Sequence, residues 1–286
     1  MKIGVSSYSF HQAVSAGRMS TYDIVDAAAK LGFEALDFAV LLGDDPIPEM
    51  CAKLGRQAKD AGLPVKNYAV SADFLANDVD TEVEKTCREV DNAVLLGAQT
   101  FRHDVTWTQP RQGAAFTFES VLPRLAEGCR RVTEYAAQRG IRTMVENHGQ
   151  FVQDSARVVA LYRAIGSDNF SLLADMGNFM CADENSAVAL GNVLPYAAHI
   201  HAKDFIFKSG DGENPGEGFF GTRAGNYLRG TIVGHGVVPV AQCLKLIKRA
   251  GYEGWLSLEF EGMEDCITGC RVGLANLRRL CGGIGL

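Results

Sequence analysis

Six glycines recur in one sequence context. Each closes a helix-like stretch and precedes a strand-like one. They stand in AAAKLGFEALDF (Gly32), AKDAGLPVKNY (Gly62), AVLLGAQTFRH (Gly97), AAQRGIRTMVEN (Gly140), LYRAIGSDNFSLLAD (Gly166) and IKRAGYEGWLSLEF (Gly251). A glycine just past a helix end supplies the left-handed conformation that terminates it. The near-continuous apolar runs that follow suit strands buried on both faces, as in a parallel sheet. The first five glycines lie 30, 35, 43 and 26 residues apart, about one βα unit each.

Eight strands are predicted, near residues 3–8, 34–40, 64–71, 98–105, 141–148, 170–177, 197–204 and 255–261. A helical stretch follows each. In one of them Phe118, Val121, Leu122, Leu125, Ala126, Cys129, Val132 and Ala136 form a single apolar face. Pro123 fits that helix only in its first turn. Eight such units predict a (β/α)8 barrel occupying residues 1–286 as one domain, although 286 residues by length alone allow two. A doubly wound open sheet is the second choice, weakened because no G-x-G-x-x-G follows an early strand. The rhythm breaks at about 206–236, a long polar segment rich in glycine with Phe219 and Phe220. It follows the seventh strand on the side where barrel active sites are built, so it reads as an active-site loop covering the chemistry.

Composition removes some functions. The net charge is −6, which disfavours a nucleic-acid binder. No apolar run approaches a membrane span, and the start MKIGVSSYSF lacks a signal-peptide core. The eight cysteines form no C-x-x-C pair and sit in apolar runs, as expected of a reduced, cytoplasmic protein.

Charged residues interrupt four of the predicted strands near their C-terminal ends. These are Glu146-Asn147-His148, Asp175 with Asn178 beyond it, His199-Ile200-His201-Ala202-Lys203-Asp204, and Glu259-Phe260-Glu261. A buried carboxylate is costly unless paired or bound to a metal. Three carboxylate-bearing strands and one imidazole at one rim suit a single divalent cation such as Mn²⁺, Mg²⁺, Co²⁺ or Zn²⁺. Alternation puts Glu146 with His148, and His199 with His201 and Lys203. His199 lies deeper and reads as a satisfied core histidine. Glu259 and Glu261 share parity, and depth favours Glu259. His103, in FRHDV at the end of the fourth strand, is expected to point to the same rim. Tyr8 and Phe10 are candidates for an apolar wall. Asp37 and Asp204 are candidates for carboxylates behind the ligands, or for barrel-end salt bridges. His11 and His235 receive no role.

These blocks together resemble the sugar phosphate isomerase/epimerase superfamily with the xylose-isomerase-like barrel, over essentially the whole chain. The resemblance rests on SSYSF, ENH, ADMGN, HIHAKD, RGTIVGHGVV and SLEFEG. It implies one divalent metal, Mn²⁺ foremost, held by Glu146, Asp175, His201 and Glu259. It also implies that Glu146 and Glu259 move protons through an enediolate of a ketose or related polyol. His103, His148, Asn178, Lys203, Arg229 and Tyr8 are the expected substrate contacts. Two positions depart from the epimerase pattern: Asn178 replaces a substrate-touching His, and Gly234-His235-Gly236 replaces GEG. They give weight to an inosose-dehydratase-like lyase, or to β-elimination from an oxidised sugar conjugate. Related barrels include apurinic endonucleases, but the long loop lacks the D-x-H of those three-zinc enzymes. A non-catalytic binding barrel has no need of paired proton-transfer glutamates. The expected partner is a small sugar or polyol, with no nucleic acid, no membrane and a possible homo-oligomer.

Overall fold

The computed structural model describes residues 1–76, 78–108 and 116–286. The chain opens with β1 (Ile3–Ser6), α1 (His11–Ser15), α2 (Asp23–Leu31), β2 (Leu36–Ala39), α3 (Ile47–Asp60), β3 (Val65–Val70) and α4 (Val79–Leu96). It continues with β4 (Thr100–His103), α5 (Phe118–Ala137), β5 (Arg142–Glu146), α6 (Ser155–Ile165), β6 (Phe170–Asp175), α7 (Ser186–Val193) and β7 (Ala197–Ala202). Last come β8 (Asp204–Lys208), β9 (Phe220–Gly221), β10 (Tyr227–Thr231), α8 (Val240–Arg249), β11 (Leu256–Leu258) and α9 (Cys266–Ile284).

Eight strands close a parallel barrel in the order β1-β11-β7-β6-β5-β4-β3-β2. Closure is visible at β1, which pairs in parallel with both β2 and β11. An open doubly wound sheet has two edge strands, whereas here the first barrel strand pairs with the last. All six joint glycines have positive φ, from 62° at Gly166 to 88° at Gly32. At Gly62, Gly97, Gly140 and Gly251 nothing lies within 4 Å of an added Cβ. There the left-handed backbone is the reason for glycine, not lack of room.

The α5 face falls as its periodicity requires, with Leu125, Ala126, Cys129, Val132 and Ala136 buried. Pro123 departs from expectation. The helix begins at Phe118, so Pro123 lies in its second turn rather than its first. The carbonyl left without a partner belongs to Glu119, four residues back, which is exposed and can be solvated by water.

The long segment after β7 is not an open loop. Strands β8, β10 and β9 form a three-stranded antiparallel sheet. Asp183 anchors it, accepting from Thr222 Oγ1 (2.7 Å) and Asn226 Nδ2 (2.8 Å). Asp204 fixes its return. Its carboxylate accepts the backbone N–H groups of Phe205 (2.9 Å), Gly234 (2.9 Å), Gly236 (2.9 Å) and Val238 (3.0 Å). Any side chain at Gly236 would collide with Asp204. Asp204 is therefore neither a salt bridge nor a support for the ligand cluster. It clamps Gly234-His235-Gly236, and His235 itself is exposed.

Candidate active site

The barrel register sets the ends of four strands side by side. Asp175 at the end of β6 pairs with His201 on β7, which pairs in turn with Ser257 on β11. Glu146 ends β5, and Glu259 follows β11 directly. One ligand atom from each of Glu146, Asp175, His201 and Glu259 lies within 4.8 Å of the others, and all four residues are buried.

Each of the four is held from behind. Asp175 Oδ1 accepts from the backbone of Gly177 (2.7 Å) and Asn178 (3.0 Å). Glu146 Oε2 meets Arg102 Nη2 at 2.8 Å, and its Oε1 accepts from Asn178 Nδ2 at 3.0 Å. Glu259 Oε2 meets Lys203 Nζ at 2.7 Å. Asp37 Oδ2 takes His201 Nε2 at 3.3 Å and His199 Nε2 at 2.7 Å. Among the described residues His201 Nδ1 has no hydrogen-bond partner, and Asp175 Oδ2 has only the Lys203 ammonium, 3.3 Å away. The distances from His201 Nδ1 to Glu259 Oε1, Asp175 Oδ2 and Glu146 Oε1 are 3.6, 3.9 and 3.9 Å. Buried polar atoms are normally satisfied. An unbonded imidazole nitrogen among three buried carboxylates fits a divalent cation, with Nε2 bound by Asp37 and Nδ1 left to ligate.

The electrostatics of the cluster are those of crowded buried charge. Burial pushes the Asp175 carboxyl up to about 6 against the pull of Lys203, with Glu146 and Glu259 adding to the rise. Burial alone would also raise Glu259, but Lys203 and His201 hold it well below the usual carboxylate range. Burial disfavours protonated His201, yet the Glu259 charge and the Asp37 hydrogen bond raise its pKa well above that of a free imidazole.

A cavity of about 500 Å³ opens onto the cluster. Tyr8, Arg102, Asp104, Glu146, His148, His201, Glu259 and Glu261 line its polar side. Tyr8 stacks on His11 (5.1 Å between ring centres). His148 Nδ1 lies 2.9 Å from Asp104 Oδ1 and 2.8 Å from Arg102 Nη2. A smaller cleft of about 150 Å³ adjoins it, lined by Asn178, Lys203 and Phe220 among others. Lys203 is fully buried and also meets Glu261 Oε1 (3.0 Å) and Asn178 Oδ1 (3.2 Å). Phe220 is the part of the long segment that reaches this wall, so the sheet flanks the cluster rather than covering the main cavity.

Two expected substrate contacts lie elsewhere. His103 is wholly buried and turned away from the cavity. It stands edge-on to Phe74 and bonds the Asp104 carbonyl (2.8 Å). Burial pushes its pKa down to about 4. The reason is alternation: on β4 it is Arg102 and then Asp104 that face the mouth. Arg102 was the readable signal, an arginine inside a strand that had to be buried. Arg229 sits on β10 over the Phe219 ring (5.4 Å), beside Met263, away from both cavities. Trp107, which lines both, carried no sequence signal beyond its position after β4.

A parallel eight-stranded barrel with a carboxylate–imidazole cluster at the C-terminal rim defines a class of barrel proteins. The chain belongs to the xylose isomerase-like TIM barrel family, which it matches over residues 25–280. It is 28% identical to an inosose dehydratase of Lacticaseibacillus casei over 141 residues, 48% of this chain and 46% of that protein. The match thus spans about half the length of that curated relative. Among solved structures it superposes on the probable 3-DHS dehydratase of petrobactin synthesis from Bacillus anthracis. There the TM-score is 0.73 and the identity 18%, covering 97% of this chain and 99% of that one. It superposes likewise on D-allulose 3-epimerase from Methylomonas sp., with TM-score 0.71 and 15% identity over 98% of both chains. At these identities the two structures speak for the fold. Among the described residues no helix is long and apolar enough to cross a membrane.

Proposed function

We propose that this protein is a divalent-metal-dependent sugar isomerase or epimerase that moves a proton next to the carbonyl of a ketose or related polyol. The reading is carried by four buried donors, Glu146, Asp175, His201 and Glu259, whose ligand atoms lie within 4.8 Å of one another, with His201 Nδ1 free of any hydrogen bond among the described residues. Glu146, Asp175, His201 and Glu259 would hold the metal, with Mn²⁺ the first candidate and Mg²⁺, Co²⁺ or Zn²⁺ compatible with the same oxygen–nitrogen donors. When bound, the ion supplies Lewis acidity toward a carbonyl and a neighbouring hydroxyl.

The chain's own groups supply the rest. Glu146 and Glu259 come from different strands, so one can take the α proton and the other return it. Arg102 and Lys203 orient their respective glutamates. Asn178 bridges Glu146 and Lys203, tying the two halves together. His148 and Tyr8 offer polar atoms along the cavity wall for substrate hydroxyls.

A second reading is favoured by the inosose dehydratase similarity and by Asn178 at the departing position. There the same first step is followed by loss of a β-hydroxyl. One experiment separates them: ketohexoses, pentuloses and inososes are incubated in D₂O with metal and followed by NMR. Deuterium entering a carbon with all oxygens retained marks epimerisation or isomerisation, and loss of water marks the lyase. If no panel member exchanges at any carbon, with or without Mn²⁺ or Co²⁺, the enolisation reading fails.

A further inference from the structure

The cavity continues past the carboxylate cluster. Its lining includes the apolar Val40, Leu41, Ile47, Val70 and Trp107, with Ser71, Lys85 and Glu89 also present. Two of these are conspicuous: Val40 is 51% exposed and Trp107 48%. Neither is casual surface. Trp107 is fixed by its backbone N–H to Asp73 Oδ2 (3.0 Å) and by its indole N–H to Ser71 Oγ (2.8 Å) and Asp104 Oδ2 (3.2 Å). Its ring stands edge-on to His148, 4.8 Å between centres at 88°. Val40, directly after β2, has a φ of 49°. A β-branched residue rarely takes the left-handed region, where Gly or Asn would fit with less strain. The chain nevertheless keeps an exposed valine in that conformation, lining the cavity. Strain of this kind, at the mouth of a pocket, points toward binding.

Size and charge agree. A cavity of about 500 Å³ is in the range that takes drug-sized ligands, beyond a lone sugar of about twelve non-hydrogen atoms. The cations around it already face carboxylates. Arg102 meets Glu146 and Asp104, Lys203 meets Glu259 and Glu261, and Lys85 meets Glu82. The extra volume is therefore suited to an apolar group and not to a phosphate.

We propose that the ligand is a sugar conjugate: its sugar lies toward the carboxylates, and an apolar, preferably aromatic, substituent lies against Val40, Leu41, Ile47 and Trp107. This rests on the proposed function only for which end of the ligand faces the carboxylates. The test is calorimetric titration of the metal-loaded protein with phenyl β-D-glucopyranoside and methyl β-D-glucopyranoside, which differ only in the apolar group. The phenyl compound is expected to bind at least about tenfold more tightly, the scale of burying one aromatic ring. Val40→Asn removes apolar surface while suiting the backbone, so it keeps the fold and reduces that preference several-fold. Trp107→Ala reduces it further. Equal affinity for the two glycosides, absence of phenyl-glycoside binding, or a preference unchanged in both variants overturns the proposal. Failure of the D₂O exchange panel with the phenyl preference intact removes the enolisation reading and leaves the apolar subsite standing.

Discussion

The two ends of the barrel are built on opposite terms. Where helices hand over to strands, the joints are glycines in the left-handed region, four of them with open space around the missing side chain. Their role is local and conformational, and each works without its neighbours. At the other end, Glu146, Asp175, His201, Lys203 and Glu259 are buried together, and the proton affinities of Asp175, His201, Lys203 and Glu259 are set by their charged neighbours. A chain selected only for stability would fill that rim with apolar side chains, since buried charge networks cost desolvation. One end closes the fold, while the other carries a cost that only chemistry explains.

The contrast can be broken by experiment. The largest effect is expected from metal removal: a chelator abolishes turnover, Mn²⁺ or Co²⁺ restores it, and the chelated protein melts at a lower temperature because a native-state ligand is gone. Next come Glu146→Gln and Glu259→Gln, each lowering turnover about 10²–10⁴-fold, as for loss of a proton-transfer group. Circular dichroism should show the fold retained, and near-normal rates in either variant would sink the mechanism. Asp37→Asn follows. Removing the charge behind His201 Nε2 should weaken Mn²⁺ or Co²⁺ binding about 10–100-fold by titration. A purely structural Asp37 would lower the melting temperature and leave metal affinity alone.

A smaller effect concerns His103, the residue that left the site. Its folded pKa is depressed to about 4 from 6.5. As pH falls through about 6.5 the unfolded chain gains a proton that the folded chain refuses until about 4, so stability is lost across that window. Urea unfolding at pH 7 and pH 5 should show His103→Gln losing less stability on acidification than the parent. Its D₂O exchange rate should match the parent's, whereas a substrate contact would show a drop. The smallest effect belongs to the other end. Gly97→Ala should cost about 1–2 kcal/mol of stability through the left-handed backbone alone, with metal affinity untouched. A fall in metal affinity there would mean the ends are coupled.

The site was legible in uneven measure. Glu146, Asp175, His201 and Glu259 stood out because a charge breaking a buried strand is a local anomaly. His103 and Arg102 are adjacent, and choosing between them needed the strand's facing, which a short strand with mixed polarity leaves open. Arg229 is expected at the site only through the family resemblance. The segment's pairing as an antiparallel sheet carried it over Phe219 instead.

The sequence by itself determined the barrel, because helix closure by glycine and burial of apolar strands are local rules repeated along the chain. It also determined which strands carry charge to the rim. Only the tertiary structure decided how the atoms of those residues are partnered, since that depends on Asp37, Arg102 and Lys203 arriving from other strands. Only the tertiary structure set Trp107 and Val40 around one cavity, because residues far apart in sequence share a cavity only after the barrel has closed.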